Sequence, residues 1–317
     1  MKQTVLVAPL PWGLGHATRC IPIIRRELRK GHNVLVAASG DHRALLQGVF
    51  GNRVSFIDLP FMKIGFPASR WVVLYFLLRS PLWLYWVGRE KIELNRSVVR
   101  HGITKIISDN RLGLFTEKAR CIYVTHQLHI VAPVLGPLLN LIHRWFMAQY
   151  DEIWVPDYAS PPGLAGVLSH PGRPVKNARY IGPLSRFEQP VSKTEKTIAN
   201  LAIISGPEPA RSHFENEIIK EFADKGTPAL VLRGKPGLRE ENFIGNVRVV
   251  SHMEDDGLVD AIARAENIVC RSGYSTIMDL HVLGVTARLV PTPGQAEQMY
   301  LAQLHNPANG YSSSDSK

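Results

Sequence analysis

Three observations predict an α/β fold of two doubly wound domains. Short, almost continuously apolar runs recur along the chain. Helix-period stretches separate them. One stretch rich in Pro, Gly and basic residues then divides the series in two. Apolar runs of this kind suit parallel strands covered on both faces. Their alternation with helices is the pattern of doubly wound sheets.

The first series places strands near Thr4–Ala8, Asn33–Ala38, Val54–Ile57, Thr104–Ser108, Cys121–Thr125 and Glu152–Val155. The second places them near Leu201–Ser205, Ala229–Leu232, Val247–Val250, Asn267–Cys270 and Ala287–Val290. Helical patterns fill the gaps, for instance over Ile21–Lys30, Phe214–Asp224 and Leu258–Ala265. The stretch from Pro161 to Lys196 lacks periodicity and reads as a surface loop plus linker. An N-terminal domain over 1–185 and a C-terminal domain over 186–317 are therefore expected. No internal repeat is found. The polar tail "NPANGYSSSDSK" is expected to be disordered, and the second domain looks shortened from about residue 305.

A chain of 317 residues is long enough for two cores. Its net charge of +10 favours anionic partners such as nucleotides or anionic lipid. No block of five or six like charges and no homeodomain-like, zinc-finger or aromatic RNA-binding motif points to nucleic acid. Three dispersed cysteines, Cys20, Cys121 and Cys270, fit neither a disulfide framework nor a metal spacing. The sequence opens with the strand-like "TVLVAPL" rather than a secretory leader, so a cytoplasmic location is expected. The apolar, aromatic segment Arg70–Arg89 has basic flanks but is interrupted at Arg79-Ser80-Pro81. It reads either as a core helix pair or as a peripheral contact with the inner face of a membrane.

Two turns carry the candidate chemistry. In "PWGLGHATRC", Gly13, Gly15 and His16 lie between a strand and a helix. Glycines there let the backbone approach a ligand, and a helix N-terminus favours negative charge. The dinucleotide fingerprint is incomplete, because Thr18 stands where its third glycine belongs, although Asp41 follows the second strand. His16 at such a mouth suits a general base; a helix-capping role is the alternative. In "CRSGYSTIMDL", a strand runs into a tight turn of small residues and then a helix. Hydroxyls and free N–H groups at Ser275 or Thr276 suit a diphosphate, and Asp279 suits ribose hydroxyls. Simple capping and dipole roles are the alternative for these residues. One strand later, Pro291, Pro293 and Gly294 form a loop ahead of Glu297 and Gln298. An acid and an amide in that place suit sugar hydroxyls, against the alternative of ordinary helix-start residues.

Together "PWGLGHATRCIP", "THQL", "ISGPEPARS", "CRSGYSTIMDL" and "PTPGQAEQMYLA" resemble the family 28 glycosyltransferases of the GT-B fold. The resemblance touches both halves of the chain and is most specific from Cys270 to Ala302. It implies two Rossmann-like domains facing a cleft. It also implies transfer of a sugar, with inversion, from a nucleotide donor, typically a UDP-sugar, to an acceptor hydroxyl that is lipid-linked in some members. It assigns Ser272, Gly273, Tyr274 and Ser275 to the diphosphate, Asp279 to ribose, and Glu297 and Gln298, after Gly294, to the sugar. Met253, in the loop Ser251–Glu254, would border the base. Gly15 and His16 would face donor phosphate and acceptor. His126 would face the acceptor, or else be a core histidine.

Asp109, ending a strand in "IISDNR", is a candidate second carboxylate beside His16. Either would take the acceptor proton, while Arg211 or Arg233 would steady the leaving group unless they are ordinary surface arginines. The resemblance implies no metal and no cofactor beyond the nucleotide-sugar substrate. The acidic run Glu254-Asp255-Asp256 reads as a solvated loop. The short glycine loop "GLGHATR" also resembles that of nucleotide-sugar hydrolases of the same fold. The shortened end leaves a non-catalytic donor-binding or partner subunit as a further alternative. A nicotinamide-dependent oxidoreductase ranks behind all of these.

Overall fold

The computed structural model describes residues 2–61, 72–132 and 136–305, with 72–80 as backbone only. The tail from 306 onward and part of the Arg70–Arg89 segment lie outside the described residues. The chain divides into two units. One comprises Met1–Trp12 and His16–Leu184, the other Gly13–Gly15 and Ser185–Lys317.

The first unit holds seven strands: β1 (Thr4–Pro9), β2 (Asn33–Ala37), β3 (Ser55–Ile57), β4 (Lys105–Asp109), β5 (Arg120–Val124), β6 (Glu152–Val155) and β7 (Ala178–Tyr180). They form one parallel sheet in the order β3-β2-β1-β4-β5-β6-β7. The helices are α1 (Leu14–Arg29), α2 (Gly40–Phe50), α3 (Val72–His101) and α4 (Gly136–Met147). Helix–sheet packing buries Val5, Leu6, Val7 and Ala8 of β1 completely. The chain order reverses between β1 and β4, which is where open α/β sheets present their crevice. Pairing of Pro9 with Asp109 fixes the register there.

The second unit contains β8 (Ile198–Ile203), β9 (Ala229–Leu232), β10 (Glu241–Ile244), β11 (Val247–Val250), β12 (Ala265–Arg271) and β13 (Arg288–Val290). Its order is β10-β11-β9-β8-β12-β13, parallel except for the antiparallel edge strand β10. Helices α5 (Ala210–Lys225), α6 (Asp255–Arg264), α7 (Tyr274–Leu283) and α8 (Ala296–His305) complete it. The reversal falls between β8 and β12. Two apolar clusters form its core. One is built on Leu201, Leu230 and Ile262, the other on Phe214, Phe222 and Val231.

Two expectations change. The stretch from Pro161 to Lys196 is partly structured. It contains β7 and is anchored by Asp157, which is fully buried. Leu164 and Ala165 donate backbone N–H groups to that carboxylate at 2.7 and 3.0 Å, and Ser169 Oγ donates at 2.6 Å. Gly163, at φ +60°, lies so close that an added Cβ would fall 2.6 Å from the carboxylate. Asp157 thus replaces a regular ladder with side-chain bonds, a pattern that periodicity does not reveal. The segment around Pro81 is one continuous helix, α3, rather than a broken pair. Among the described residues, no helix is long and apolar enough to cross a membrane.

Leu6 lies fully buried at the centre of the first sheet. Leu6→Ala should lower stability by about 2–5 kcal/mol through lost burial and a residual cavity. Denaturant unfolding measures it; a loss of a few tenths would contradict this packing.

Candidate functional site

The first unit gathers His16, Arg19, Asp109 and His126 at the β1/β4 reversal. His16 and Arg19 are three residues apart on α1 and so share a helix face. Asp109 ends β4, and His126 follows β5. Asp109 is wholly buried, whereas the His16 side chain is 21% exposed. Arg19, also buried, holds one carboxylate oxygen, with Nε at 2.7 Å and Nη2 at 2.5 Å from Oδ1. His16 Nδ1 lies 2.8 Å from the other oxygen, Oδ2. Arg19 Nη1 reaches toward His126 Nδ1 at 3.5 Å.

His16 Nδ1 is also 2.8 Å from Arg19 Nη2. A guanidinium only donates and a carboxylate only accepts, so the two neighbours demand opposite states of that nitrogen. The fixed, ionised carboxylate makes the stronger bond with Nδ1–H. That tautomer leaves Nε2 with its lone pair, the state a general base needs. Burial pushes the Asp109 pKa upward, but the Arg19 charge, then His16, outweigh it and hold it below the ordinary value of 3.8. Asp109 therefore stays ionised.

Sequence reading placed His16 and Asp109 as alternative bases, and the geometry separates them. Asp109 has no exposed surface and sits behind His16, so it can orient and stabilise the ring but cannot meet an acceptor. His126, expected either to face the acceptor or to be a core histidine, is 3% exposed and packs into the cluster. Arg19 was missed. On sequence it is one more basic residue in an amphipathic helix.

In the second unit, Gly273 caps α7 in extended conformation, and Ile277 N–H bonds back to its carbonyl at 3.1 Å. The first turn of α7 thus presents backbone N–H groups that lie outside the helical ladder. A helix end of this kind, here at the β8/β12 reversal, is suited to an anion. Other predicted contacts in that region are engaged within the protein. Ser272 is buried and its Oγ donates to the Gln298 carbonyl at 2.7 Å, so its hydroxyl serves packing. The Tyr274 ring is buried in the core. Inside the same unit, Ser275 Oγ donates to the Gly15 carbonyl at 2.8 Å.

Asp279 Oδ1 accepts from Ser185 Oγ at 2.6 Å, and Oδ2 lies 3.6 Å from Arg186 Nε. Arg186 also bonds Asp255 at 2.9 Å. Asp279 therefore ties α7 to the segment that leads into the unit, which departs from a carboxylate open to ribose. Gln298 is likewise occupied. Its Oε1 accepts from Thr292 N–H at 2.8 Å and its Nε2 donates to Gln295 Oε1 at 2.7 Å, bracing the loop around Gly294. Glu297 stands in the first turn of α8, half-buried. Met253 packs against the apolar core beside Gly257.

Arg211 and Arg233 converge on Glu215, at 2.5 and 2.7 Å, and Arg211 also binds Glu208 at 2.7 Å. These carboxylates partner the two guanidinium groups that the resemblance assigned to the leaving group. Arg271 was missed as well. It is buried without a carboxylate partner among the described residues and donates to the carbonyls of Pro291 at 2.8 Å and Ala210 at 3.2 Å. Its guanidinium lies 3.9 Å from the centroid of the Phe214 ring. Burial lowers its pKa to about 10, which leaves it cationic at neutral pH.

Removing the Asp109 carboxylate leaves Arg19 as an uncompensated buried cation. Asp109→Asn should therefore destabilise the protein by about 3–5 kcal/mol at pH 7. A carboxylate with a depressed folded pKa stabilises above its unfolded value and loses that contribution as pH falls through the folded one. The gap between variant and wild type should thus narrow below the ordinary value of 3.8. Denaturant unfolding at neutral and acid pH checks this; a gap independent of pH would contradict it.

Residues 240–310 match the profile of the glycosyltransferase family 28 C-terminal domain. Comparison with curated protein sequences gives no match. Among solved structures, the spinosyn rhamnosyltransferase SpnG complexed with thymidine diphosphate is 16% identical, with a TM-score of 0.61 over 98% of this chain and 85% of that one. SnogD, a glycosyltransferase from Streptomyces nogalater, is 16% identical, with a TM-score of 0.58 over 95% and 84%. MurG of Acinetobacter baumannii is 11% identical, with a TM-score of 0.50 over 98% and 84%. The shared architecture is that of GT-B glycosyltransferases, as the sequence resemblance implied. The chain has the fold of the GT-B glycosyltransferases, and residues 240–310 of its second unit are similar to the family 28 glycosyltransferase C-terminal domain.

Proposed function

We propose that this protein is a glycosyltransferase that moves a sugar from a nucleotide-sugar, a UDP-sugar, to an acceptor hydroxyl with inversion. The observation that carries the reading is the His16–Asp109–Arg19 cluster in a chain with a family 28 domain. His16 Nε2 takes the acceptor proton. The acceptor oxygen attacks the anomeric carbon as the bond to the diphosphate oxygen breaks, and the nucleoside diphosphate leaves with that electron pair. A single displacement inverts the centre. Asp109 stabilises the imidazolium that forms.

The second unit takes the donor. The N-terminus of α7 offers N–H groups to the diphosphate, and Glu297 offers a carboxylate to sugar hydroxyls. That SpnG is complexed with thymidine diphosphate supports a nucleoside diphosphate as the ligand here. The scheme calls on no resident metal or cofactor. The acceptor carries an apolar part, of which a lipid-linked acceptor is one form. Exposed Leu84 and Tyr85 on α3 and Leu141 and Trp145 on α4, beside Arg89 and Arg144, suit contact with an anionic inner membrane face.

Nucleoside diphosphate release from a UDP-sugar, followed with and without acceptor, tests the reaction. His16→Ala should lower the acceptor-dependent rate by roughly 10²–10⁴-fold while leaving nucleotide affinity nearly unchanged. Donor consumption in water alone, equal with and without acceptor, would instead favour a hydrolase. A near-normal rate in the variant would remove His16 from the mechanism.

A further inference from the structure

The Arg70–Arg89 segment holds a feature that a membrane contact does not use. On α3, Trp83, Trp86, Val87 and Glu90 follow the spacing i, i+3, i+4, i+7, so they share one face. That face lines a cavity of about 220 Å³ inside the first unit. Leu82, Leu84 and Tyr85 lie on the exposed side. The two indoles are thus turned away from the surface that the other apolar residues form.

Trp12, Phe61, Tyr123 and His143 also line the cavity. Most of the polar groups at this wall pair with one another, although the buried His143 Nδ1 has no hydrogen-bond partner. Tyr123 OH donates to Asn110 Oδ1 at 3.1 Å and lies 3.2 Å from His143 Nε2. Since the hydroxyl has one proton, His143 Nε2–H donates to it. Burial lowers the His143 pKa to about 4, so the ring is neutral. Arg111 Nε donates to Glu90 Oε1 at 2.6 Å, so the one ion pair at this wall cancels internally. A site with this lining selects an uncharged, aromatic-compatible guest.

The wall of the cavity shares its chain segments with the His16 cluster. Asn110 and Gln127, both in its wall, directly follow Asp109 and His126. Trp12 precedes His16 by four residues. Asn110 holds a left-handed backbone, φ 57°, a conformation that a non-glycine residue seldom adopts and that is common beside functional sites.

We propose that this cavity holds a planar ring of the acceptor, with the ring's hydroxyl turned to His16. The acceptor is thus a hydroxylated aromatic, or carries one at the glycosylated end. This rests on the transferase reading above and names the substrate class of its acceptor side. A cavity of 220 Å³ falls below the roughly 300–1,000 Å³ of pockets that enclose drug-sized ligands, so it takes a small fused ring system rather than a whole large acceptor.

Calorimetric titration without donor tests the pocket, with 2-naphthol and the isoprenoid alcohol geraniol as probes of equal carbon count. 2-Naphthol should bind about tenfold more tightly than geraniol, from the added aromatic contacts. Trp86→Ala should weaken 2-naphthol about tenfold, and Trp86→Phe should keep most of the affinity, with melting curves reporting that each variant is folded. Equal binding of the two alcohols, no binding of 2-naphthol, or unchanged affinity in a folded Trp86→Ala would overturn the proposal. Glycosylation assays then separate the two readings. 2-Naphthol that binds but is never glycosylated keeps the pocket and counts against transfer to this class. Geraniol glycosylated while 2-naphthol does not bind keeps transfer and overturns the pocket.

Discussion

The wholly buried ion pair between Arg19 and Asp109 is the interaction on which the first unit's chemistry depends. A carboxylate at the end of a central strand, with no solvent, would ordinarily take up a proton. The guanidinium prevents this and spends its Nε and Nη2 donors on one oxygen. The second oxygen is left for His16. The orientation of the only partly exposed residue of the cluster is thereby set by two residues that solvent barely reaches. The cost of burying both charges is recovered only because the bonds are short and the pair is hydrogen-bonded further.

The two sheets place their chemistry by one rule. Each reverses chain order at one point, between β1 and β4 in the first and between β8 and β12 in the second. Segments leaving the strands there diverge and open a crevice. His16 and Asp109 occupy the first such point, and the N-terminus of α7 the second. In the second unit most polar side chains near the crevice brace loops. Gln298, Ser272, Arg271 and Asp279 each tie one strand-end segment to another. These side chains thus serve the loops that frame the α7 turn.

The fold was legible because apolar runs and helical periods are local signals. Eleven strands follow from them. The other two, β7 and β10, lacked such a signal. β7 has three residues in a stretch dominated by Pro and Gly. β10 is an antiparallel edge strand whose four residues are all exposed, so no apolar run marks it. The site was legible in part. His16 and Asp109 each lie at a strand end where ligands bind, but their contact spans 93 residues and depends on the Pro9–Asp109 register. Arg19, Arg211 and Arg233 show the limit from the other side. A sequence displays a positive charge but not the carboxylate that partners it, so neither the Arg19–Asp109 pair nor the convergence of Arg211 and Arg233 on Glu215 could be read from it.

The claim that most needs testing is that the second unit receives a nucleoside diphosphate. Isothermal titration of the full chain with UDP, dTDP and NAD addresses it without any assumption about acceptor or sugar. One nucleoside diphosphate should bind per chain, UDP most tightly, with no heat from NAD. Absence of binding by either diphosphate, or binding of NAD in their place, would contradict that claim and leave the α7 turn as architecture alone.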